Sequence, residues 1–200
     1  MEITSELVKT LRDKTGAGMM DCKKALVEAQ GNLDKAIEVL RKKGAATAEK
    51  RADRATNQGL VEAYIHAGGR IGAMVELNCE TDFVAKTDDF RSLARDIAMQ
   101  IAAMNPAYIG REQVSKETVD REIDIYKTQA RNEKKPEPIL DKIAQGKLEK
   151  YYQETCLIEQ TFIKDSGKTI KDLILDMTAK TGEKITVRRF QRFHLGESSN

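Results

Sequence analysis

The stretch VEAYIHAGGRIGAMVELNC, residues 61–79, decides the fold class. In its first half Val61, Ala63 and Ile65 alternate with Glu62, Tyr64 and His66; in its second, Ile71, Ala73, Val75, Leu77 and Cys79 alternate with Gly72, Met74, Glu76 and Asn78. Successive side chains of a strand point to opposite faces, so a period of two marks a half-buried strand. Between the runs stands Ala67-Gly68-Gly69-Arg70, whose glycines tolerate the positive φ that a tight reversal needs. The reading is a β-hairpin. A lone hairpin is marginal in water, which sends the search outward for a third strand. Residues 184–195 supply one: Ile185 and Val187 alternate, and the pattern slips before Phe190, as a bulge or two-sided burial would make it. The expected core is a three-stranded antiparallel sheet.

Helical periodicity fills the interval. Thr87 caps a helix striped with Phe90, Leu93, Ala94, Ile97 and Ile101, and Ser115 caps another carrying Val119, Ile123, Tyr126 and Ala130. The run from Lys134 through Pro138 breaks that helix. Ile139, Leu140, Ile143 and Leu148 resume it, and Thr169 opens a last helix through Leu173, Ile174 and Met177. Helices gathered between a hairpin and a closing strand make an α+β domain.

Residues 1–44 read as a three-helix module. Thr4 caps the first helix, Glu6 favours its positive end, and Ile3 and Val8 stand where a hydrophobic staple needs them. Leu7, Val8 and Leu11 form the inward stripe, ended by Thr15-Gly16-Ala17-Gly18. The second helix runs through Met20, Ala25, Leu26 and Ala29 to Gly31; Asn32 caps the third, with Leu33, Ala36, Ile37 and Leu40 inward and Gly44 as the expected stop. So small a bundle buries little and suits recognition more than support. Residues 45–58, AATAEKRADRATNQ, lose the apolar stripe and read as a solvated helical spacer, leaving 59–200 as the α+β module.

Composition narrows the function. The chain has 200 residues, 40% hydrophobic and 33% charged, and 34 basic against 32 acidic side chains leave a net charge of +2. That balance argues against gripping a phosphate backbone by bulk charge. The longest uncharged run, residues 97–110, contains Gln100, Asn105 and Pro106 and is too short and polar to span a bilayer. The opening Met1-Glu2-Ile3-Thr4 lacks the basic and apolar regions of a secretory signal, and three scattered cysteines (Cys22, Cys79, Cys156) fit a reducing compartment; a soluble, cytoplasmic protein is expected.

Reaction chemistry is sparse. The two histidines, His66 and His194, and the three cysteines stand at none of the usual metal spacings, and there is neither a Gly-x-Ser-x-Gly elbow nor a phosphate-binding loop. No catalytic residue, metal or cofactor is expected. Aromatics are 5% and Trp is absent, a poor platform for stacking bases. What stands out is a corner. Cys79-Glu80-Thr81-Asp82-Phe83-Val84 lies where the second strand ends and a capped helix is about to begin. The residues allow two placements: Phe83 protruding as an aromatic anchor with Asp82 beside it, or Phe83 tucked under the next helix with Asp82 assisting a cap, to which the pattern leans. Met19-Met20 is similarly divided between core and an adaptable surface, although adjacent helix positions diverge by about 100° and one Met must face outward. From Arg41 to Arg54 a basic patch leaves a second class open, a ribosome- or nucleic-acid-binding adaptor.

Two motifs carry a resemblance. Thr15-Gly16-Ala17-Gly18-Met19-Met20-Asp21-Cys22-Lys23-Lys24-Ala25-Leu26 and Asn78-Cys79-Glu80-Thr81-Asp82-Phe83-Val84-Ala85, in that order, are similar to the two signature stretches of the translation elongation factor Ts family, and Arg188-Arg189-Phe190 also fits. No second copy of the 78–83 pattern or its hairpin exists, so the chain resembles the short, single-module form. The resemblance implies a ubiquitin-associated-like N-terminal bundle and a guanine-nucleotide exchange factor for the GTPase elongation factor Tu, in its GDP-bound and nucleotide-free states. It implies a homodimer, two chains with two partners, with no direct nucleic-acid or membrane contact. By motif match Arg12, Met19 and Met20 would bind the partner. Thr81, Asp82, Phe83 and Val84 would disturb its magnesium region, and His66 would make a second contact near the nucleotide phosphates. Gln191 stands where a cysteine would allow a cross-link between chains, so no disulfide dimer is implied.

Overall fold

In the computed structural model, which describes residues 3–197, Thr4 accepts a hydrogen bond from the Leu7 amide and starts helix α1 (Ser5–Thr15). Met1 and Glu2 of the opening segment, and residues 198–200 at the end of the α+β module, lie outside the described residues. Gly16 ends α1 in the left-handed region at φ 68°. Helix α2 (Met19–Glu28) follows, and Asn32 caps α3 (Leu33–Lys50) by accepting from Lys35 N. The sheet has the order β1-β2-β5, from β1 (Gln58–Ile65), β2 (Ile71–Cys79) and β5 (Thr186–His194). Between β2 and β5 lie α4 (Asp82–Ala85), α5 (Asp88–Met104), α6 (Lys116–Asn132), α7 (Leu140–Thr155), the short strands β3 (Thr161–Phe162) and β4 (Asp165–Thr169), and α8 (Ile170–Thr181). The expected α+β architecture, three helices and then a three-stranded antiparallel sheet packed with helices, is the one observed.

The chain divides into two compact units, one made of Met1–Ala63, Met74–Asp96 and Asp172–Phe190, the other of Tyr64–Ala73, Ile97–Lys171 and Gln191–Asn200. In the first unit Leu11, Cys22, Ala25, Leu26, Ala36 and Leu40 form the bundle core, with Ile3, Leu7, Leu33 and Ile37 packed at its edge. Gly44 does not stop α3. It is buried within the helix, and a Cβ there would lie 3.1 Å from both the Ala179 Cβ and the Leu175 carbonyl. The missing side chain is what lets α3 lie close against α8, so this glycine marks a helix contact and not a helix end. The segment after α3 is also tied down: Lys184 donates to the carbonyls of Ala52 and Arg54, and Asn78 Nδ2 donates to Thr56 O at 2.9 Å. Val75, Leu77, Cys79, Phe90, Leu93, Ala94, Ile185 and Val187 are buried in this unit.

In the second unit α6 and α7 pack along one another, with Ala130, Leu140, Ala144 and Leu148 buried. Buried Gln100 is fully used: its Nε2 donates to Gln160 Oε1 and Thr161 O, and its Oε1 accepts from Ile163 N. This side-chain amide bonds the β3–β4 hairpin, which sequence periodicity missed because its first strand has two residues.

The sheet itself decides what the alternation left open. Along β1 the half-buried residues are Leu60, Glu62 and Tyr64, while Val61, Ala63 and Ile65 face outward. A period of two fixes the alternation but not its sense. Along β5 the burial alternation slips at Arg188-Arg189, as expected from the sequence, and Phe193 ends on the exposed side.

Candidate functional site

The corner after β2 is built almost wholly from backbone amides and carboxylates. Thr81 caps α4: its Oγ1 accepts from Val84 N at 3.4 Å while its hydroxyl donates to Glu183 Oε1 at 2.6 Å. Glu183 Oε2 accepts from both Glu80 N (3.1 Å) and Thr81 N (3.0 Å). Glu80 answers in kind, accepting from Lys184 N at 2.7 Å and from Arg51 through both oxygens at 2.8 and 2.7 Å. Burial would raise the Glu80 pKa, but the Lys184 amide and the Arg51 guanidinium outweigh it and hold the carboxyl below its ordinary range. The buried Cys79 thiol donates to Thr81 O at 3.1 Å, and burial, with the Glu183 charge nearby, pushes its pKa up to about 11. It is a structural thiol, not a nucleophile.

On this support Phe83 is 80% exposed. The placement under the next helix, to which the residue pattern leaned, is therefore wrong. Ala85 and Phe90 take the buried positions, and a four-residue helix has too few turns to turn Phe83 inward as well. Asp82 lies in the first turn of α4 and pairs with Lys86 at 2.7 Å, which lowers its pKa. Val84 is half-buried, and its carbonyl accepts from the hydroxyl of Thr87, which caps α5 through Phe90 N.

A second feature lies in the same unit. Ile3, Val8, Lys9, Arg12, Met19 and Met20 line an open cleft of about 580 Å³ on the bundle. Both methionines are outward, Met19 at 57% and Met20 at 63% exposure, because Cys22, Ala25 and Leu26 fill the core from α2. Arg12, Met19 and Met20 thus share one apolar, basic-edged surface. His66 belongs to the second unit. It is exposed at the hairpin turn, where Gly68 and Gly69 both have positive φ, and its Nδ1 lies 3.0 Å from the Tyr64 hydroxyl. Of the basic residues from Arg41 to Arg54, Lys43 pairs with Asp21 and Arg51 with Glu80, which leaves the patch less bare than its sequence.

Sequence reading passed over Glu183, Glu80 and Arg51 as site residues. Glu183 comes about a hundred residues after the corner that it holds, in a short polar turn before β5, and no local pattern joins the two. Among the described residues no helix is long and apolar enough to cross a membrane, and no cluster of three His, Cys, Asp or Glu is placed to hold a metal ion.

Known proteins match along nearly the whole chain. The family described as Elongation factor TS matches residues 1–197. Elongation factor Ts of Carboxydothermus hydrogenoformans is 59% identical over 195 residues, covering 98% of this chain and 90% of that protein. Elongation factor Ts of Moorella thermoacetica is 60% identical over 190 residues, 95% and 94% of the two chains. That of Thermotoga neapolitana is 54% identical over 197 residues, 98% and 99%. With both signature stretches in place and the match spanning bundle, sheet and closing strand, the chain belongs to the elongation factor Ts family.

Proposed function

We propose that this chain is a cytoplasmic guanine-nucleotide exchange factor for the GTPase elongation factor Tu, releasing GDP during translation elongation without bond chemistry of its own. The observation that carries the reading is Phe83, a large apolar ring left in solvent on a corner that is otherwise hydrogen-bonded throughout. Exposed aromatic rings on a rigid base are efficient anchors, since little entropy is lost when they are buried in a partner.

The mechanism is reciprocal coupling: nucleotide and factor favour different conformations of the GTPase, so each weakens the other. Magnesium bridges the nucleotide phosphates and neutralises their charge, and displacing its ligands loosens GDP. Thr81, Asp82, Phe83 and Val84 act here, Phe83 as a wedge between packed elements that respond by repacking. Arg12, Met19 and Met20 dock the bundle on the partner. His66 makes a second contact near the phosphates. In this division residues 1–44 dock, 45–58 space, and 59–200 exchange and dimerise. Exposed apolar side chains on the sheet, Val61 and Met74 in the first unit and Ile65 and Phe193 in the second, support a homodimer, two chains serving two partners.

The test is release of a fluorescent GDP from elongation factor Tu in stopped flow. The chain accelerates release in a saturable manner, for the GDP-bound partner, and it forms a stable complex with the nucleotide-free partner. Release at the spontaneous rate across the whole titration refutes the proposal.

A further inference from the structure

A corner with a four-residue helix cannot hold itself, because a single turn fixes more dihedrals than it gains hydrogen bonds. The pose of Phe83 therefore has to come from outside α4. Two carboxylates supply it in exchange. Glu183 accepts from Glu80 N, Thr81 N and the Thr81 hydroxyl, while Glu80 accepts from Lys184 N, so each acidic residue binds backbone beside the other. The Thr81 hydroxyl gives its proton to Glu183 and so turns a lone pair to Val84 N. Arg51, the C-cap of α3, closes the cluster with two hydrogen bonds to Glu80, and the Lys184 ammonium donates to Ala52 O and Arg54 O just beyond that helix. The corner is thereby joined to the end of the helix whose first half belongs to the bundle.

We propose that Glu183, together with the Arg51–Glu80 pair, is a positioning residue that fixes the Thr81-to-Val84 corner in its exchange-competent pose; the inference rests on the reading of that corner as the exchange site. In this role Glu183 acts through Glu80 and Thr81 and needs no contact of its own with partner or nucleotide. It lowers the cost of using Phe83 by holding the corner ordered before contact, and Arg51 refers that pose to α3. A carboxylate is needed because three donors converge on it, and charged hydrogen bonds are about twice as strong as neutral ones.

The experiment compares Glu183→Ala, Glu183→Gln and Phe83→Ala in the full chain, with elongation factor Tu loaded with fluorescent GDP. Amide hydrogen exchange at Glu80 and Thr81 is followed in the free factor, and release is titrated against factor concentration. In Glu183→Ala the two amides lose protection, and the maximal release rate falls about tenfold, the worth of one charged hydrogen bond. The half-saturating concentration, set mainly by the bundle, moves less than about threefold. Glu183→Gln keeps one acceptor oxygen and falls between. Should Glu183→Ala fold poorly, the same split in Glu183→Gln decides. Unchanged maximal release in the Glu183 variants while Phe83→Ala is slow overturns the positioning role and leaves the corner's function standing. Parallel losses in binding, rate and melting temperature also overturn it, since they mark a merely structural residue. Normal release by Phe83→Ala removes the exchange reading, and the positioning role with it.

Discussion

On the proposed wedge role, removing the Phe83 ring separates exchange from folding. At 80% exposure the side chain has little to lose in the free protein, and Ala is the better helix former in α4. The clamp beneath it uses Glu183, Glu80 and Thr81 and no atom of the ring. Phe83→Ala should therefore melt within about 0.5 kcal/mol of wild type. In the proposed complex the ring would pass from water to a protein interior, which is worth about 1.5–3 kcal/mol for a side chain of this size. If that energy is realised only as GDP leaves, its loss appears in the maximal release rate, as a fall of roughly 10- to 150-fold. With docking proposed to run through the bundle cleft, association should be untouched and the half-saturating concentration should hold. Stopped-flow release of fluorescent GDP at several factor concentrations gives both quantities, and a thermal melt gives the third. A variant with wild-type maximal release and an intact melt refutes the wedge. One that loses activity only in step with its melting temperature refutes the claim that the ring stands clear of the fold.

Three further outcomes follow from other parts of the structure. Met20→Ala should raise the half-saturating concentration about tenfold while leaving maximal release unchanged, because the residue lines the bundle cleft and not the corner; the same titration reads it. Gly59→Ala should destabilise the fold by about 3 kcal/mol or more in urea melts, since its φ is 149° and a Cβ would stand 2.2 Å from the Leu77 carbonyl oxygen. Glu80 has a lowered pKa in the folded chain, so its contribution is complete above its ordinary value near 4.5 and is lost as pH falls through the lower folded value. Melts of wild type and Glu80→Gln should accordingly differ most near neutrality and converge in acid.

The parts of this molecule that were legible in the sequence are those written in local patterns. Caps at Thr4, Asn32, Thr87 and Ser115 need only a hydroxyl or amide three residues before an amide, and each forms as the spacing predicts. The hairpin and its two-glycine turn are equally local. What the sequence hid depends on partners far along the chain. Gly44 looks like a helix stop until α8 is set against it, and then it is a place where two helices need room. Glu183 looks like a polar turn residue until its carboxylate is seen to gather two amides and a hydroxyl from residues 80 and 81.

The outward face of β1 presents a different kind of limit. Val61 and Ile65 are the apolar members of a clean alternation, and the ordinary inference sends such residues to the core. The rule assumes that a sheet has one covered face. Here Glu62 takes a half-buried place in the same strand, and Val61 and Ile65 stand more than half exposed. A strand that keeps apolar residues on the solvent side across several turns of its pleat is explained most simply if that side is covered too. The proposed dimer supplies such a cover, with a second copy meeting the outward residues of the sheet. On that account the alternation marks the strand and leaves its sense open, because the chain encodes the surface of an assembly and a single copy displays it uncovered. Phe193→Glu, at 64% exposure on β5, should then leave one copy folded and halve the mass seen by light scattering. A dimer that survives this charge would mean that the two chains meet elsewhere and that the outward apolar face needs another explanation.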